Sequence, residues 1–223
     1  MEHTVTVTLP PHHGEGELGL PAIQPFGLVL FAHGSGSSRH SPRNRIVAAA
    51  LREASLATLL FDLLTEDEAT DRQLVFDIPL LAGRLRDAAK WATRDNRVAA
   101  LPQGYFGAST GAAATLLAAA EPDARVCAVV SRGGRPDLAG TALAHVRAPT
   151  LLIVGGADDV VLGLNRAAQG RMRCECRLTV VPGATHLFEE PGTLDEVVTL
   201  ARAWFLRHLP RTVAPGGTDG RRG

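Results

Sequence analysis

Lysine is nearly absent from this chain of 223 residues, and its scarcity excludes several kinds of chemistry. Lys90 is the single lysine among 23 basic residues, and no lysine follows a glycine as the phosphate-binding P-loop requires. Schiff-base chemistry or a Ser-Lys dyad would depend on Lys90 alone, which lies in a stretch typical of a solvated helix. Because the formal net charge is zero and no basic run occurs, we expect no nucleic-acid partner.

Cysteines and long apolar runs are also scarce. Three cysteines are too few for a disulfide framework. No run of about 18 apolar residues occurs, so we expect no membrane partner. Residues 1–13 lack the basic and apolar regions of a secretory signal, which favours a cytoplasmic location. The length suits one domain, at 1–209, and the Pro-, Gly- and Arg-rich stretch 210–223 predicts a disordered tail.

Apolar runs alternate with helical patterns, and this alternation predicts an α/β fold with a mostly parallel central sheet covered by helices on both faces. The predicted strands lie at 5–9, 18–22, 27–32, 56–61, 104–108, 126–130, 150–154 and 178–181. The predicted helices lie at 42–54, 76–95, 110–120 and 137–145, and a last helix begins with a capping box of Thr193 and Glu196. The acidic segment 62–71 is expected either to be solvated surface or to border a site.

A G-x-S-x-G sequence lies directly between a predicted strand and a predicted helix. Its serine is Ser109, flanked by Gly107 and Gly111. A serine on a sharp strand-to-helix turn needs small residues two positions before and after it, because strand and helix approach closely there. The pattern in this context predicts a nucleophilic serine at the carboxyl end of the sheet, where α/β proteins bind their ligands.

A serine hydroxyl needs a base, and His186 is the best-placed histidine. Four of the eight histidines lie near the termini, and His145 is accounted for by its place late in a short helix. His33 belongs to a turn after a strand, and His40 to the loop beyond it. His186 follows the last strand, and the chain order serine, acid, histidine is that of strand-built hydrolases.

The acid that should orient this histidine is less sharply defined by the sequence. Asp158 follows the strand at 150–154, and it is our preferred candidate. Asp159 is adjacent and could instead cap the next helix, while Asp62, at the end of an earlier strand, is a third candidate.

An oxyanion in acyl transfer needs N–H donors, and two backbone amides are expected to provide them. One belongs to Thr110, just after the nucleophile, and the other to Ser35 in the turn that follows the strand at 27–32. Gly34 lets this turn approach a substrate, and Arg39 and Arg43, beyond it, are either substrate-binding or solvated. Phosphate binding by the glycine-rich turn is the rival interpretation, but no lysine lies nearby.

The segments HGSGSS, GYFGASTG, GGADD and GATHLFEEPG, in this order, resemble the α/β-hydrolase superfamily, and the short form is similar to the dienelactone hydrolase family. The resemblance implies an α/β-hydrolase fold with little or no cap domain. It also implies Ser109 as nucleophile, Asp158 as acid, His186 as base, and Ser35 and Thr110 as oxyanion donors. Serine stands here where dienelactone hydrolases carry a cysteine.

These features together predict a serine hydrolase that cleaves small or exposed carboxylic esters, or lactones, through an acyl-enzyme. No metal or organic cofactor is implied, and the expected partner is a small-molecule ester. A thioesterase, acyltransferase, perhydrolase or C–C hydrolase would use the same triad. The alternative outside the enzymes is a non-catalytic binding module with this fold.

Overall fold

An eight-stranded sheet runs through the part of the chain that the structure describes, residues 1–12 and 14–210 of a computed structural model. Its strands are β1 (His3–Leu9), β2 (Gly14–Leu20), β3 (Leu28–Ala32), β4 (Ala57–Phe61), β5 (Gln103–Ala108), β6 (Val126–Arg132), β7 (Thr150–Gly155) and β8 (Cys176–Val181). They lie in the order β1-β2-β4-β3-β5-β6-β7-β8. Strands β3 to β8 are parallel, and β1 and β2 form a hairpin that pairs antiparallel with β4. The predicted α/β fold with a mostly parallel sheet is confirmed.

Helices cover both faces of this sheet, as predicted. The α-helices of the described residues are α1 (Pro42–Glu53), α2 (Arg72–Val75), α3 (Ile78–Ala92), α4 (Thr110–Ala119), α5 (Asp159–Gln169) and α6 (Thr193–His208). Helices α1 and α6 pack on one face, and α3 and α4 pack on the other. Ser41 begins α1 by accepting a hydrogen bond from the Asn44 amide, with Pro42 in the first turn.

Two buried apolar layers hold the helices to the sheet. Leu51 of α1 and Phe205 of α6 pack with Phe31 and Phe106 of the sheet on the first face. On the second face, Leu85 of α3 belongs to a larger cluster that includes small alanines of α4. Burial of a large apolar side chain stabilises a fold by about 1.5–3 kcal/mol, so these layers fix the sheet whose strand ends carry the candidate site.

Several predicted boundaries are wrong, each for a local reason. Strand β2 spans Gly14–Leu20 rather than 18–22, because its glycines hide the alternating pattern while the hairpin ladder runs from Leu9↔Gly14 to His3↔Leu20. Helix α3 begins only after Asp77, whose side chain accepts a hydrogen bond from the Leu80 amide at 2.9 Å.

The predicted acidic loop and the predicted capping box also need correction. Segment 62–71 contains a short 3-10 helix, Glu68–Thr70, just before α2. The residue that precedes α6 is Gly192, which has a positive φ of 79° and provides no side-chain cap. The Thr193 hydroxyl instead donates to the Glu190 carbonyl at 2.7 Å, so it faces back to the preceding loop.

Two expectations are not tested by the fold. A single domain over 1–209 stays a prediction, and the tail expected at 210–223 lies outside the described residues except for Pro210. The segment between β6 and β7 holds a 3-10 stretch, Pro136–His145. None of the described helices is long and apolar enough to cross a membrane.

Candidate active site

Ser109 occupies a strained turn between β5 and α4. Its backbone has φ 51° and ψ −121°, a conformation that residues with a side chain rarely adopt. The flanking glycines explain how the turn is possible. A Cβ on Gly107 would lie 2.5 Å from the Ala112 Cα, and one on Gly111 would lie 2.2 Å from the Ala32 carbonyl oxygen. The small residues that the sequence pattern required are therefore demanded by backbone contacts.

The structure brings Ser109, His186 and Asp158 into one hydrogen-bonded chain. The His186 Nε2 lies 3.3 Å from the Ser109 Oγ. The His186 Nδ1 lies 2.8 Å from the Asp158 Oδ2. With the proton on Nδ1 donated to the carboxylate, Nε2 is left as the acceptor for the serine hydroxyl. The Asp158 side chain is only 16% exposed, whereas the His186 side chain is 38% exposed and reaches the surface of the site.

Backbone hydrogen bonds hold the acid loop and the histidine loop together. The Ala157 amide donates to the Ala184 carbonyl at 2.9 Å, and the Gly156 amide donates to the Val181 carbonyl at 2.8 Å. Gly155 permits this contact, since a Cβ there would lie 2.3 Å from the Ala184 oxygen. The distance between Asp158 and His186 is therefore set by the ends of β7 and β8.

The three acid candidates lie in different places. Asp158 contacts His186 and also accepts a hydrogen bond from the Val161 amide through Oδ1, at 3.4 Å, as the cap of α5. Asp159 is exposed in the first turn of that helix. Asp62 pairs with Arg39 instead. Geometry thus favours Asp158 as the partner of the histidine.

The two expected oxyanion donors lie beside Ser109, but one of them has a partner already. The Thr110 amide is the first N–H of α4 and has no acceptor within the helix. The Ser35 amide donates to the Thr110 hydroxyl oxygen at 2.9 Å. Gly34 allows the turn to come this close, because a Cβ on it would lie 2.8 Å from the Ser109 Cβ. The sequence did not indicate the contact between Ser35 and Thr110.

His33 fixes the position of this turn, a role that sequence reasoning missed. Its Nε2 accepts a hydrogen bond from the Leu63 amide at 3.1 Å, and its Nδ1 donates to the Gly34 carbonyl at 3.0 Å. Burial lowers the pKa of His33, although Asp62 at 3.9 Å acts in the opposite direction. The histidine is therefore neutral, and it joins the turn after β3 to the residues that follow β4. The sequence feature that could have indicated this role is the histidine directly before the glycine-rich turn.

Arg39 does not line the cleft that contains Ser109. Its guanidinium pairs with Asp62 and with Glu15, and its amide donates to Asp62 at 2.7 Å. These contacts tie the turn to the end of β4 and to β2, so Arg39 has a structural explanation here. Arg43 differs, because it lines the same cleft as Ser109 and pairs with the exposed Glu189 at 2.9 Å.

Two clefts meet at the turn that contains Gly34 and Ser35. One, of about 550 Å³, extends over the acidic segment and is partly walled by Leu63, Leu64 and Leu81. Segment 62–71 therefore borders a cleft, which was one of the two expectations for it. The other cleft, also of about 550 Å³, contains Ser109 and His186.

Arg132 also lines the cleft that contains Ser109, and sequence reasoning missed it. The predicted strand stopped at Val130, where the apolar run ends, but β6 continues to Arg132, which is paired with Ala108 of β5. A charged residue at the carboxyl end of a strand next to the nucleophile strand was the available signal.

The geometry agrees with relationships to known proteins. No family model matches the chain. The chain is 53% identical to the dienelactone hydrolase from Anabaena variabilis, with a TM-score of 0.89 over 94% of this chain and 99% of that one. This chain is an α/β-hydrolase. It belongs to the family of the Anabaena protein.

Other similarities bear on this α/β-hydrolase in different ways. A lidless α/β serine hydrolase from Xanthomonas campestris shares the fold, with a TM-score of 0.74, 22% identity and coverage of 95% of this chain and 97% of that one. Two Mycobacterium tuberculosis proteins named "Putative phosphoribosyl transferase" are 60% identical over 208 residues, or 93% of this chain. The chain spans about half of those relatives, 47% of their length.

Proposed function

We propose that this α/β-hydrolase cleaves carboxylic esters, including small esters or lactones, by a serine acyl-enzyme mechanism. One observation carries the proposal: a strained serine, a histidine and a half-buried carboxylate lie in a hydrogen-bonded series of 3.3 and 2.8 Å. The relationship to a dienelactone hydrolase supports it, since that protein's name describes hydrolysis of a lactone.

The proposed first step is attack of the Ser109 oxygen on the ester carbonyl. His186 Nε2 takes the hydroxyl proton, and Asp158 stabilises the imidazolium through the bond to Nδ1. The imidazolium then gives its proton to the leaving alkoxide, and the acyl group stays on the serine oxygen. Water attacks the acyl-enzyme with the same histidine as base, which releases the acid and restores the serine.

The proposed oxyanion hole consists of the amides of Thr110 and Ser35. Loss of one such donor costs about 10²–10³ in kcat in hydrolases that use them. The Ser35 amide points to the Thr110 hydroxyl in the free enzyme, so a substrate oxyanion would share this donor or displace that contact. Both donors are backbone groups held by neighbouring elements, so the Ser35 amide has only to exchange the Thr110 hydroxyl for the oxyanion.

The transferase name of the mycobacterial relatives concerns proteins about twice as long as this chain. We assign the phosphoribosyl transfer in that name to the half that this chain does not span, because the serine, histidine and carboxylate geometry has its own chemistry here. Assay of this chain for diphosphate release from phosphoribosyl diphosphate tests the assignment, and a rate above background would contradict it.

Ester hydrolysis is tested with short-chain 4-nitrophenyl esters and a Ser109→Ala variant. The variant should lose turnover and labelling by a fluorophosphonate, while Ser55→Ala, at the opposite end of the sheet, should keep both. A wild type that is labelled but prefers thioesters, peroxide or another acyl acceptor would be a different enzyme on the same triad. The absence of both labelling and turnover in the wild type would favour a non-catalytic module.

A further inference from the structure

Phe188 has a backbone conformation that bulky residues rarely adopt, and it lies two residues after His186. Its φ is 55°, although its side chain is only 1% exposed and belongs to the apolar layer beneath α1 and α6. A positive φ in a bulky residue is a genuine outlier, which the surrounding structure must hold in place. The other non-glycine residues with a positive φ in the described part of the chain are Ser55 and Ser109. One of the three is thus the candidate nucleophile, and another lies beside the candidate base.

A four-residue turn carries His186. The turn runs from Thr185 to Phe188 and is closed by the Phe188 amide, which donates to the Thr185 carbonyl at 3.3 Å. The Thr185 amide donates to the Glu190 carboxylate at 3.1 Å. His186 is one of the two central residues of this turn, so the direction of its side chain depends on where the turn is held.

Gly133 provides the surface on which this turn lies. It follows β6, has a φ of 52°, and its amide donates to the Ile153 carbonyl of β7 at 2.8 Å. A Cβ on Gly133 would lie 3.0 Å from the His186 carbonyl oxygen, 3.4 Å from the Phe188 Cε2 and 3.6 Å from the His186 Cε1. Both rings therefore lie close to the α-carbon of a residue that is hydrogen-bonded to the sheet.

The two sides of the histidine are held in different ways. Before it, Ala184 is fully buried, and its carbonyl accepts from the Ala157 amide at 2.9 Å. After it, residues 187–189 make no backbone hydrogen bond to the sheet in the described structure, so the buried ring of Phe188 is the anchor on this side. The His186 side chain is 38% exposed and gains little support from its own packing.

We infer that Phe188 is a positioning residue, whose buried ring fixes the turn that aims His186 at Ser109. The distance that must be kept is the 3.3 Å between the His186 Nε2 and the Ser109 Oγ, since proton transfer requires hydrogen-bond reach. Misplacement of a reacting group by about 1 Å can lower a rate about 10²-fold. The positive φ follows from placing a large buried ring so soon after an exposed histidine. This inference rests on the proposed esterase function, because it concerns the base of the same site.

Kinetics of Phe188→Leu on short-chain 4-nitrophenyl esters test the inference. Leucine keeps the position apolar but loses the ring edge that reaches Gly133. We expect kcat to fall about ten- to a hundredfold while KM changes by less than about twofold, because the cleft is intact and only the base is misplaced. Wild-type kcat in a folded Phe188→Leu variant would overturn the inference. If Phe188→Leu does not fold, Phe188→Met replaces it with the same expected result, since methionine fills irregular space more fully.

Phe205→Leu is the matched control, since it makes the same change in the same apolar layer. Phe205 is fully buried on α6 and lies against Gly104, at the far end of β5 from Ser109. Both leucine variants should lower Tm to a similar extent, because they remove the same atoms from buried sites. Phe205→Leu should nevertheless keep kcat within about threefold of the wild type. Equal losses of kcat in the two variants would show that Phe188 acts only through the stability of the fold.

Gly133→Ala disturbs the same packing from the opposite side. Its Cβ would lie 3.0 Å from the His186 carbonyl oxygen, so the turn has to shift and kcat should fall. If Gly133 and Phe188 act through one contact, the double variant should lose less than the product of the two single losses. Losses that multiply would assign the two residues independent roles and would contradict the shared contact.

A proton NMR measurement separates this inference from the proposed function, because it requires no substrate. The His186 Nδ1 proton, which is shared with Asp158 at 2.8 Å, should give a resonance well downfield of the amide signals in the wild type. Phe188→Leu should broaden or remove this resonance, and Phe205→Leu should retain it. The same result in a protein that hydrolyses no ester would contradict the esterase proposal and still support the positioning of the histidine. Absence of the resonance in the wild type, or an unchanged resonance in Phe188→Leu, would contradict the inference whatever the activity.

Discussion

Replacement of Asp158 by asparagine separates two contacts that this carboxylate combines. Its Oδ2 accepts from His186 at 2.8 Å, and its Oδ1 accepts from the Val161 amide at 3.4 Å as the cap of α5. Asparagine is as good a helix cap as aspartate, so the second contact survives. The first does not survive unchanged, because an amide offers only one oxygen and no charge.

The expected loss of activity is large. An asparagine NH₂ that faces Nδ1 favours the tautomer with its proton on Nε2, and His186 then has no lone pair for the Ser109 proton. The same change in a Ser-His-Asp protease lowers kcat about 10⁴-fold. For this chain we expect about 10³- to 10⁴-fold, which corresponds to about 4–5.5 kcal/mol of transition-state stabilisation.

The expected loss of stability is small and differs between variants. Asp158→Asn should change the free energy of unfolding by less than about 0.5 kcal/mol. Asp158→Ala removes the cap as well, and because the bond to Val161 is long at 3.4 Å, we expect about 0.5–1 kcal/mol. Both variants should lose activity to a similar extent, so stability and catalysis are affected independently.

The assay pairs ester kinetics with urea unfolding of the same preparations. Asp159→Asn is the matched control, since Asp159 is exposed one residue further along α5 and should keep activity within about twofold. An Asp158→Asn variant that retained more than a tenth of wild-type kcat would refute the reasoning. Loss of activity in Asp159→Asn instead would move the acid to that residue.

Three other changes test the structure around the site. Gly111→Ala should lower the free energy of unfolding by more than about 3 kcal/mol or prevent folding, since its Cβ would lie 2.2 Å from the Ala32 oxygen. A Gly111→Ala variant that unfolds at the same urea concentration as the wild type would contradict this. His33 has a lowered pKa through burial, so the unfolded chain takes up a proton that the folded one resists. Stability should therefore fall as pH drops below about 6.5, and thermal melts of His33→Gln should show a weaker dependence. Thr110→Val removes the hydroxyl that accepts from the Ser35 amide and should lower kcat about tenfold, whereas Thr110→Ser should keep the wild-type kcat. A valine variant faster than the wild type would mean that the hydroxyl competes with the oxyanion.

The fold was predictable where periodicity is strong and obscured where glycine or charge interrupts it. The run at 27–32 is apolar on both faces, so β3 was found nearly as it lies. Strand β2 was misplaced because glycines have no side chain to mark a face. At Thr193 and Glu196 the residues of a capping box are present, but the chain enters α6 through Gly192, and entry geometry is a tertiary property.

The sequence predicted that Ser109, Asp158 and His186 lie together, because each follows a strand and parallel strands bring their ends to one edge. Their alignment was not, since it depends on the hydrogen bond from Ala157 to Ala184, which joins two loops far apart in sequence. Arg132 shows the limit most clearly. Two of its guanidinium nitrogens are buried without a hydrogen-bond partner, and no local pattern in a sequence reports a missing partner.

Backbone constraints and side-chain chemistry are separable in this site. The Ser109 turn and the proposed oxyanion amides are held by the ends of β3 and β5 and by glycines that a Cβ would displace, so substitutions there act first on folding. The side chains of Arg132 and Arg43 line the cleft, whereas the Arg132 carbonyl supports the turn by accepting a hydrogen bond from the Ser109 amide at 3.2 Å. A change of substrate can therefore arise at residues that line the cleft while the fold stays the same, because function is set by the site and not by the fold.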